Sequence, residues 1–330
     1  MTASAWPSPR VLAQYAALAL CWGASFFFIK VALHGLSPAE VVLGRLGAGA
    51  VTLLAVTVMT RQPLPRQPVI WAHLAAVAML LCVVPFTLFG WAEEHVSSGL
   101  ASIYNAATPL MTVLVALIAL PEERPSRTKI AGLLTGFAGV LVVLGPWRGI
   151  GASDGLAQAA CLLATFCYGL AFVYLRRFVT PYRLPALSVA TVQVSLGAVV
   201  MAALAPVYLT GTARLSPAVT ASVAVLGMAG TGLAYLWNTN IVAAWGATNA
   251  ATVTYLTPLV GVSLGAAVLG EAISWNEPAG ALIVIAGIAL SQGRLQRKPR
   301  GAEPHTRQEC ARQIRADHVI SGRSPHGPLA

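Results

Sequence analysis

Residues 101–110 read ASIYNAATPL, and residues 250–259 read AATVTYLTPL. Each stretch begins with alanine and ends in a Thr-Pro-Leu triplet, and the prolines, Pro109 and Pro258, are 149 positions apart. A glutamate and two glycines recur further along at this spacing, within one residue: Glu122 with Glu271, and Gly132 and Gly139 with Gly280 and Gly287. The shared order of these landmarks predicts that the second half of the chain duplicates the first.

The composition around this repeat is typical of a membrane protein. Of the 330 residues, 57% are hydrophobic and 10% are charged, and the mean hydropathy is +0.72. A soluble domain has roughly 45–50% apolar residues, and about a quarter of its residues are charged. We therefore expect an integral membrane protein with the lipid bilayer as its solvent and partner.

Apolar runs that approach or reach the length needed to span a bilayer, about 20 residues, occur ten times: 11–33, 38–59, 69–90, 97–120, 128–145, 156–178, 185–207, 217–243, 247–269 and 276–292. Most of the breaks between them are rich in proline and glycine. Because the bilayer core cannot satisfy an open backbone, the runs are predicted to be helices. The predicted fold class is all-α, with ten transmembrane helices.

An odd number of helices in each copy makes the second copy enter the membrane in the opposite sense. The predicted architecture is therefore two inverted five-helix repeats, at 11–145 and 156–292, joined by a linker at 146–155. Outside the repeats, residues 1–10 form a short N-terminus. Residues 293–330 are polar and basic and are expected to be a disordered tail.

Lysine and arginine are concentrated on one side of this topology. Before the distal tail is counted, thirteen of them lie in segments on the side of the N-terminus, and two, Arg148 and Arg214, lie in the opposite loops. Since these residues accumulate in cytoplasmic loops, both termini are predicted to be cytoplasmic and the linker periplasmic. The expected location is the cell inner membrane, crossed many times.

The sequence lacks the motifs that are typical of several other function classes. Half of the net charge of +10 comes from the tail, without a basic stripe, so nucleic acid is not an expected partner. The five cysteines lack metal-ligand spacing, and neither a metal nor another cofactor is expected. No HExxH or GxxxxGK[ST] motif occurs, which disfavours both a zinc enzyme of the first type and an ATP-driven pump.

The first two apolar runs contain five residues of a recognisable pattern: Trp22, Gly23, Phe26, Lys30 and Arg45. With the repeated block of Pro-Leu, Glu and two glycines that begins at each proline, they resemble the EamA-type transporters of the drug/metabolite transporter (DMT) superfamily, over roughly residues 11–292. The resemblance implies a ten-span carrier with a central cavity, often an exporter of amino acids or other small metabolites. The second half departs from the pattern, because Gln193 stands near the counterpart of Arg45.

Both prolines are predicted to kink their helices. Proline displaces the carbonyl four residues earlier, so the carbonyls of Asn105 and Thr254 lose their usual backbone partner. In one interpretation this region lines the substrate cavity, with Tyr104, Asn105, Thr254 and Tyr255 as substrate-binding residues. In the other, neighbouring Ser or Thr hydroxyls satisfy the carbonyls and the prolines only bend the helices. The sequence leaves both interpretations open.

Two basic residues, Arg45 and Lys30, lie within the first two apolar runs. Arg45 lies about 10 Å from the outer end of its predicted helix, and Lys30 lies about one turn from the end of the first. A charge at depth is costly and normally faces a cavity or a partner. We expect both to bind substrate by making the outer half of the cavity electropositive, suited to a carboxylate; the alternative is that they extend to the membrane surface.

Other residues at depth complete the predicted site. Trp22, Trp237 and Asn238 are predicted to contact substrate, while Gln193 is expected to bridge helices. His73 is either a proton relay or a structural residue. The glycines at 132–139 permit close helix contact, either inside the protein or in a weak homodimer.

The combined prediction is a secondary transporter that exports small metabolites by alternating access, driven by the solute gradient or by coupled H⁺. A membrane-embedded enzyme or scaffold is the alternative. The chain is expected to be a monomer or a weak homodimer.

Overall fold

A computed structural model of the chain describes residues 8–119, 127–144, 152–209, 213–245, 253–254 and 256–291. Within these ranges the structure consists of helices and their connections, without strands. Seven helical segments are long and apolar enough to cross a membrane: Pro9–Ala32, Pro38–Met59, Pro68–Glu93, Ser98–Ala119, Gly155–Tyr182, Ala186–Tyr208 and Pro217–Ile241. Three shorter apolar helices cover Ile130–Val143, Thr257–Leu269 and Asn276–Leu290. The prediction of an all-helical, multi-pass membrane protein is confirmed.

The α-helices are numbered in chain order. They are α1 Pro9–Ala32, α2 Pro38–Met59, α3 Pro68–Ala78, α4 Val84–Glu93, α5 Ser98–Asn105, α6 Thr108–Ala119, α7 Arg127–Leu144, α8 Ala152–Tyr174, α9 Ala186–Tyr208, α10 Pro217–Ala224, α11 Ala234–Trp245, α12 Thr257–Leu269 and α13 Asn276–Ser291. Most of the predicted linker, the tail and Tyr255 lie outside the described residues.

Three helices begin with a Ser-Pro pair. The hydroxyls of Ser8, Ser37 and Ser216 accept the backbone N–H three residues later, at 3.4, 3.4 and 3.2 Å. Serine satisfies one of the free amides of the first turn, and proline at the next position loses nothing because its missing N–H would be unpaired there. These pairs fix where α1, α2 and α10 start.

Three segments predicted as ordinary α-helix are π-helical: Met79–Val83, Leu175–Val179 and Val225–Leu233. The first has a local cause. Pro85 has no N–H for the carbonyl of Leu81, and it clashes with that carbonyl in regular α-helix. A wider turn just before the proline relieves this conflict. The segment Val225–Leu233 faces α2, as described below.

Glycines bring α7 and α13 together along their length. A Cβ added to Gly139 would lie 2.9 Å from the carbonyl oxygen of Gly280, and one added to Gly287 would lie 2.4 Å from the amide nitrogen of Gly136. The pairing of 139 with 280 and of 136 with 287 means that the two helices run antiparallel. The predicted glycine run therefore packs inside the protein.

A second pair of contacts involves α1 and α8. Gly23 on α1 lies against Val260 on α12, and Gly169 on α8 lies against the backbone of Met111 on α6. Val260 and Met111 are themselves 149 positions apart, as the two prolines are. The first helix of each predicted repeat thus packs on the segment that follows the proline of the other repeat.

Hydrogen bonds between distant parts of the chain occur at both ends of the bundle. At the end that holds the 33–37 turn, the Arg214 N–H donates to the Gly35 carbonyl at 2.8 Å. At the end that holds the 60–67 loop, Ser188 Oγ donates to the Pro63 carbonyl at 2.9 Å, and the Thr57 and Thr191 hydroxyls bond at 2.7 Å. We call these the 33–37 end and the 60–67 end.

Candidate functional site

Arg45 is a buried cation in the interior of the bundle. Its side chain is 8% exposed. The guanidinium Nε donates to Thr231 Oγ1 at 3.1 Å, and its central carbon lies 3.9 Å from the centre of the Phe86 ring. These contacts reach the π-helical segment Val225–Leu233 and α4, so three elements meet at this one charge. The neutral hydroxyl and the ring leave its positive charge without a carboxylate hydrogen-bonded to it within the described residues.

Close backbone approach produces this contact. A Cβ on Gly227 would lie 2.7 Å from the Arg45 carbonyl oxygen, and one on Gly49 would lie 2.9 Å from the Thr231 methyl group. A larger residue at either position would push α2 and the π-helical segment apart. The two glycines therefore set the distance at which Thr231 reaches Arg45.

Aromatic residues surround the Arg45 region. Phe89 stacks on Tyr168 with ring centres 6.2 Å apart, and Phe26 meets Phe89 edge-on at 5.4 Å. Tyr168 and Tyr235 both lie within electrostatic range of Arg45. The region thus combines a cation with rings that can stack on an organic solute.

Lys30 binds backbone rather than facing an open space. Its Nζ donates to the carbonyl oxygen of Glu93 and, at 3.0 Å, to that of Val96. An ammonium group suits the carbonyls that remain unpaired at the C-terminal end of a helix, here α4. Lys30 therefore has a structural role at this position, and its predicted binding of substrate stays a prediction.

Glu93 is a buried carboxylate that the sequence reasoning did not include in the site. It is 0% exposed, and neither of its carboxylate oxygens has a hydrogen-bond partner among the described residues. The next residue, Glu94, is exposed. The only signal in the sequence is a pair of glutamates at the end of an apolar run, and it does not reveal which one points inward.

The proline breaks occur where they were predicted. Helix α5 ends at Asn105 and α6 begins at Thr108; α12 begins at Thr257, after a short 3-10 turn at 253–254. In each break a threonine hydroxyl donates to the displaced carbonyl: Thr108 Oγ1 to Asn105 O at 2.7 Å, and Thr257 Oγ1 to Thr254 O at 2.9 Å. The carbonyls are therefore satisfied locally, as the second interpretation held.

The four residues predicted to bind substrate at the two breaks differ in how deeply they are buried. Tyr104 is 1% exposed, packs in the apolar core with α8, and donates its hydroxyl to Gln158 Oε1 at 2.8 Å. Asn105 and Thr254 are half-buried. Tyr255 lies outside the described residues. Substrate contact by these four stays a prediction.

Trp22 and Trp237 meet at another place. Both pack on a cluster between α1 and α11 that includes Leu18, Ala234 and Ile241. Asn238, next to Trp237, is half-buried. The structure thus places Trp22 and Trp237 on one cluster, whereas Arg45 contacts α4 and the π-helical segment. Their contact with substrate stays a prediction.

Two further polar residues have defined surroundings. His73 Nδ1 is hydrogen-bonded to the Tyr174 hydroxyl at 2.8 Å, and its ring stacks on Phe178 with centres 5.5 Å apart. Gln193 on α9 is 2% exposed, and its Oε1 has no hydrogen-bond partner among the described residues. In the same ranges no three His, Cys, Asp or Glu side chains are arranged to hold a metal ion.

Comparison with known proteins gives a consistent assignment. The model of the EamA-like transporter family matches the chain twice, at residues 12–145 and 156–292. A "Probable terminal-alkyne amino-acid exporter" of Streptantibioticus cattleyicolor is 28% identical over 291 residues, which is 87% of this chain and 95% of that protein. A "Probable amino-acid metabolite efflux pump" of Salmonella typhimurium is 23% identical over 285 residues, 82% of this chain and 90% of that protein.

A solved crystal structure has the same fold. It superposes with a TM-score of 0.64 at 18% identity and covers 87% of this chain and 99% of that one. At this identity the likeness concerns the path of the backbone and not the function.

Proposed function

The chain belongs to the EamA-like transporter family, and on that premise we propose that it is a secondary carrier that exports amino acids or related small metabolites. The family and the names of the similar proteins support a membrane transporter. The substrate class and the direction of transport are our inference from those names together with the buried charge of Arg45.

The observation that carries the proposal is the environment of Arg45. A buried cation without a paired carboxylate is costly, and a protein that only needed a stable bundle would gain nothing from it. The guanidinium offers planar, paired donors that match a carboxylate. We propose that the carboxylate of the transported solute binds here, between the aromatic rings. The half-buried residues predicted to line the path, Trp237, Asn238 and Asn105 among them, belong to the same proposal.

The proposed architecture is ten spans in two inverted five-helix repeats. Two features support it. The fifth helix of each predicted repeat, α7 and α13, packs antiparallel on its counterpart, and the contacts of Gly23 and Gly169 are exchanged between the repeats. Antiparallel packing of counterparts is what an inverted duplication produces. With cytoplasmic termini, the 33–37 end faces outward from the cell.

Alternating access would break the cross-links at the two ends in turn. At the 33–37 end, the Ser98 N–H and hydroxyl donate to the Glu271 carboxylate at 2.8 and 2.9 Å. At the 60–67 end, Thr57 bonds Thr191 and His73 bonds Tyr174. Since both sets are intact here, this conformation corresponds in our proposal to the occluded state. The energy would come from the solute gradient or from coupled H⁺.

The test uses the full chain in proteoliposomes. Three probes share one alkyne, which allows detection by azide coupling: L-propargylglycine, N-acetyl-L-propargylglycine and but-3-yn-1-amine. We expect protein-dependent movement of L-propargylglycine down its gradient, changed by an imposed pH gradient if H⁺ is coupled. Protein-free liposomes and liposomes holding an unrelated membrane protein are the controls.

Failure of the purified, monodisperse protein to move this probe or any of the twenty standard amino acids would remove the proposed export of amino acids. Activity on none of a wider panel of sugars, purines and organic cations would favour an enzyme or a scaffold.

A further inference from the structure

Glu93 is a buried acid whose carboxylate receives no hydrogen bond from the residues that the structure describes. The charged and titratable groups that act on it come from four other elements: Lys30 on α1, Arg45 on α2, Cys161 on α8 and Glu271 after α12. None of them forms a hydrogen bond to its carboxylate. The Lys30 ammonium group donates to the main-chain carbonyl of Glu93 instead. From α5, the Ser98 hydroxyl donates to Glu271 and not to Glu93.

Burial of this kind has a cost that protein packing alone does not offset. A carboxylate removed from water without a hydrogen bond costs more than any apolar residue of its size at the same place. Glu93 is fully buried, and none of the described residues donates a hydrogen bond to its carboxylate. Glu93 therefore has free acceptor capacity directed into the protein interior.

Arg45 and Glu93 form an opposed pair whose charges do not touch. The Arg45 guanidinium lies on the Phe86 ring, and Glu93 follows Phe86 by two helical turns, a rise of about 10.5 Å. Two buried groups of opposite charge that are not hydrogen-bonded to each other are the complement of a zwitterion, whose carboxylate and ammonium group each need one charged partner.

We propose that Glu93 binds the ammonium group of the transported solute while Arg45 binds its carboxylate, so that the carrier selects zwitterionic amino acids over solutes with a single charge. The assignment rests on the proposed function. It gives the buried acid the hydrogen-bond donor that it lacks among the described residues. It also assigns recognition to helices α2 and α4 of the first repeat.

The test compares Glu93→Gln with Glu94→Gln, the same change at the adjacent exposed residue. The wild-type protein is expected to move L-propargylglycine about tenfold or more faster than either the N-acetylated acid or the alkynyl amine. Glu93→Gln should slow the zwitterion about tenfold and bring its rate close to that of the N-acetylated acid. Glu94→Gln should keep the wild-type rates. Size-exclusion profiles and melting temperatures in detergent establish that both variants are folded.

Three results would overturn the assignment. One is a folded Glu93→Gln variant that still prefers the zwitterion by the wild-type ratio. Another is wild-type protein that moves the zwitterion and the N-acetylated acid equally, which leaves the carrier function standing. The third is a Glu93→Gln variant that keeps the preference and loses only its response to a pH gradient, because this would make Glu93 a proton carrier. Absence of any transport by the wild type would instead remove the proposed function.

Discussion

Arg45 on α2 and Gln193 on α9 occupy matching depths in the two halves of the bundle and have different surroundings. Each lies seven positions after the first residue of its helix, Pro38 or Ala186. Arg45 has a hydroxyl and an aromatic ring as neighbours, whereas Gln193 Oε1 has no hydrogen-bond partner among the described residues. The repeat offset of 149, one more than separates Arg45 from Gln193, sets Glu93 against Val242. The two charged groups proposed to bind substrate belong to one half.

The proline breaks show the opposite relation. In each, the threonine before the proline donates to the carbonyl three residues earlier, at 2.7 and 2.9 Å. The glycine contacts of α7 and α13 are likewise equivalent in the two directions. The two halves share backbone geometry, because both contain a proline break and a glycine-rich helix that packs on its counterpart. Polar chemistry differs, because a small solute meets the two halves with different groups.

The largest expected effect is on transport. Arg45→Gln should lower the rate of L-propargylglycine movement about 100-fold, since a charge-assisted hydrogen bond of about 3 kcal/mol is lost. Arg10→Gln, on the exposed first turn of α1, is the matched control and should keep the wild-type rate. A folded Arg45→Gln variant with normal transport would mean that the charge is not the carboxylate site.

The next effect is on stability and tests the close approach of the α7 and α13 backbones. Gly287→Val should destabilise the protein by about 3 kcal/mol or more, because its Cβ would lie 2.4 Å from the backbone nitrogen of Gly136. Gly47→Ala, at a helical glycine with nothing within 4 Å, should be neutral or stabilising by up to about 1 kcal/mol. The melting temperature in detergent measures both. Equal melting temperatures for the two variants would contradict the close approach of α7 and α13.

A smaller effect tests the equivalence of the proline breaks. Thr108→Val and Thr257→Val should each cost about 1 kcal/mol, because each leaves a displaced carbonyl without its donor. Thr135→Val is the control, at a half-buried helical position whose hydroxyl makes a solvent-exposed hydrogen bond to the Ala131 carbonyl, and its change should be close to zero. Denaturant titration of the folded fraction provides the values. A large difference between the two breaks would show that the halves do not share this geometry.

The smallest effect concerns the second half directly. Gln193→Met removes a buried oxygen without a hydrogen-bond partner and keeps the volume, so stability should rise by up to about 1 kcal/mol with transport unchanged. The same assays as for Arg45 apply. If transport fell as far as in Arg45→Gln, the two halves would contribute alike to the site, and the comparison above would be wrong.

Some features could be predicted from the sequence because they follow from local chemistry. Apolar runs of membrane length require helices, and prolines at 109 and 258 require breaks. A basic residue within an apolar run, Arg45, is costly and so indicates a partner or a site. The repeat motif indicates the family from the sequence alone, because its residues recur at fixed spacing along the chain.

Other features were decided by the tertiary structure, since they depend on which groups meet across 60 or more positions of the chain. Lys30 and Glu93 are both charged residues near the ends of apolar runs, and the sequence predicts a substrate-binding role for Lys30 alone. In the packed structure the Lys30 ammonium group donates to two main-chain carbonyls at the end of α4. The Glu93 carboxylate is buried there and receives no hydrogen bond from the described residues. Composition fixes how much of a chain enters the membrane, whereas the partners of each buried polar atom are set only when the helices pack.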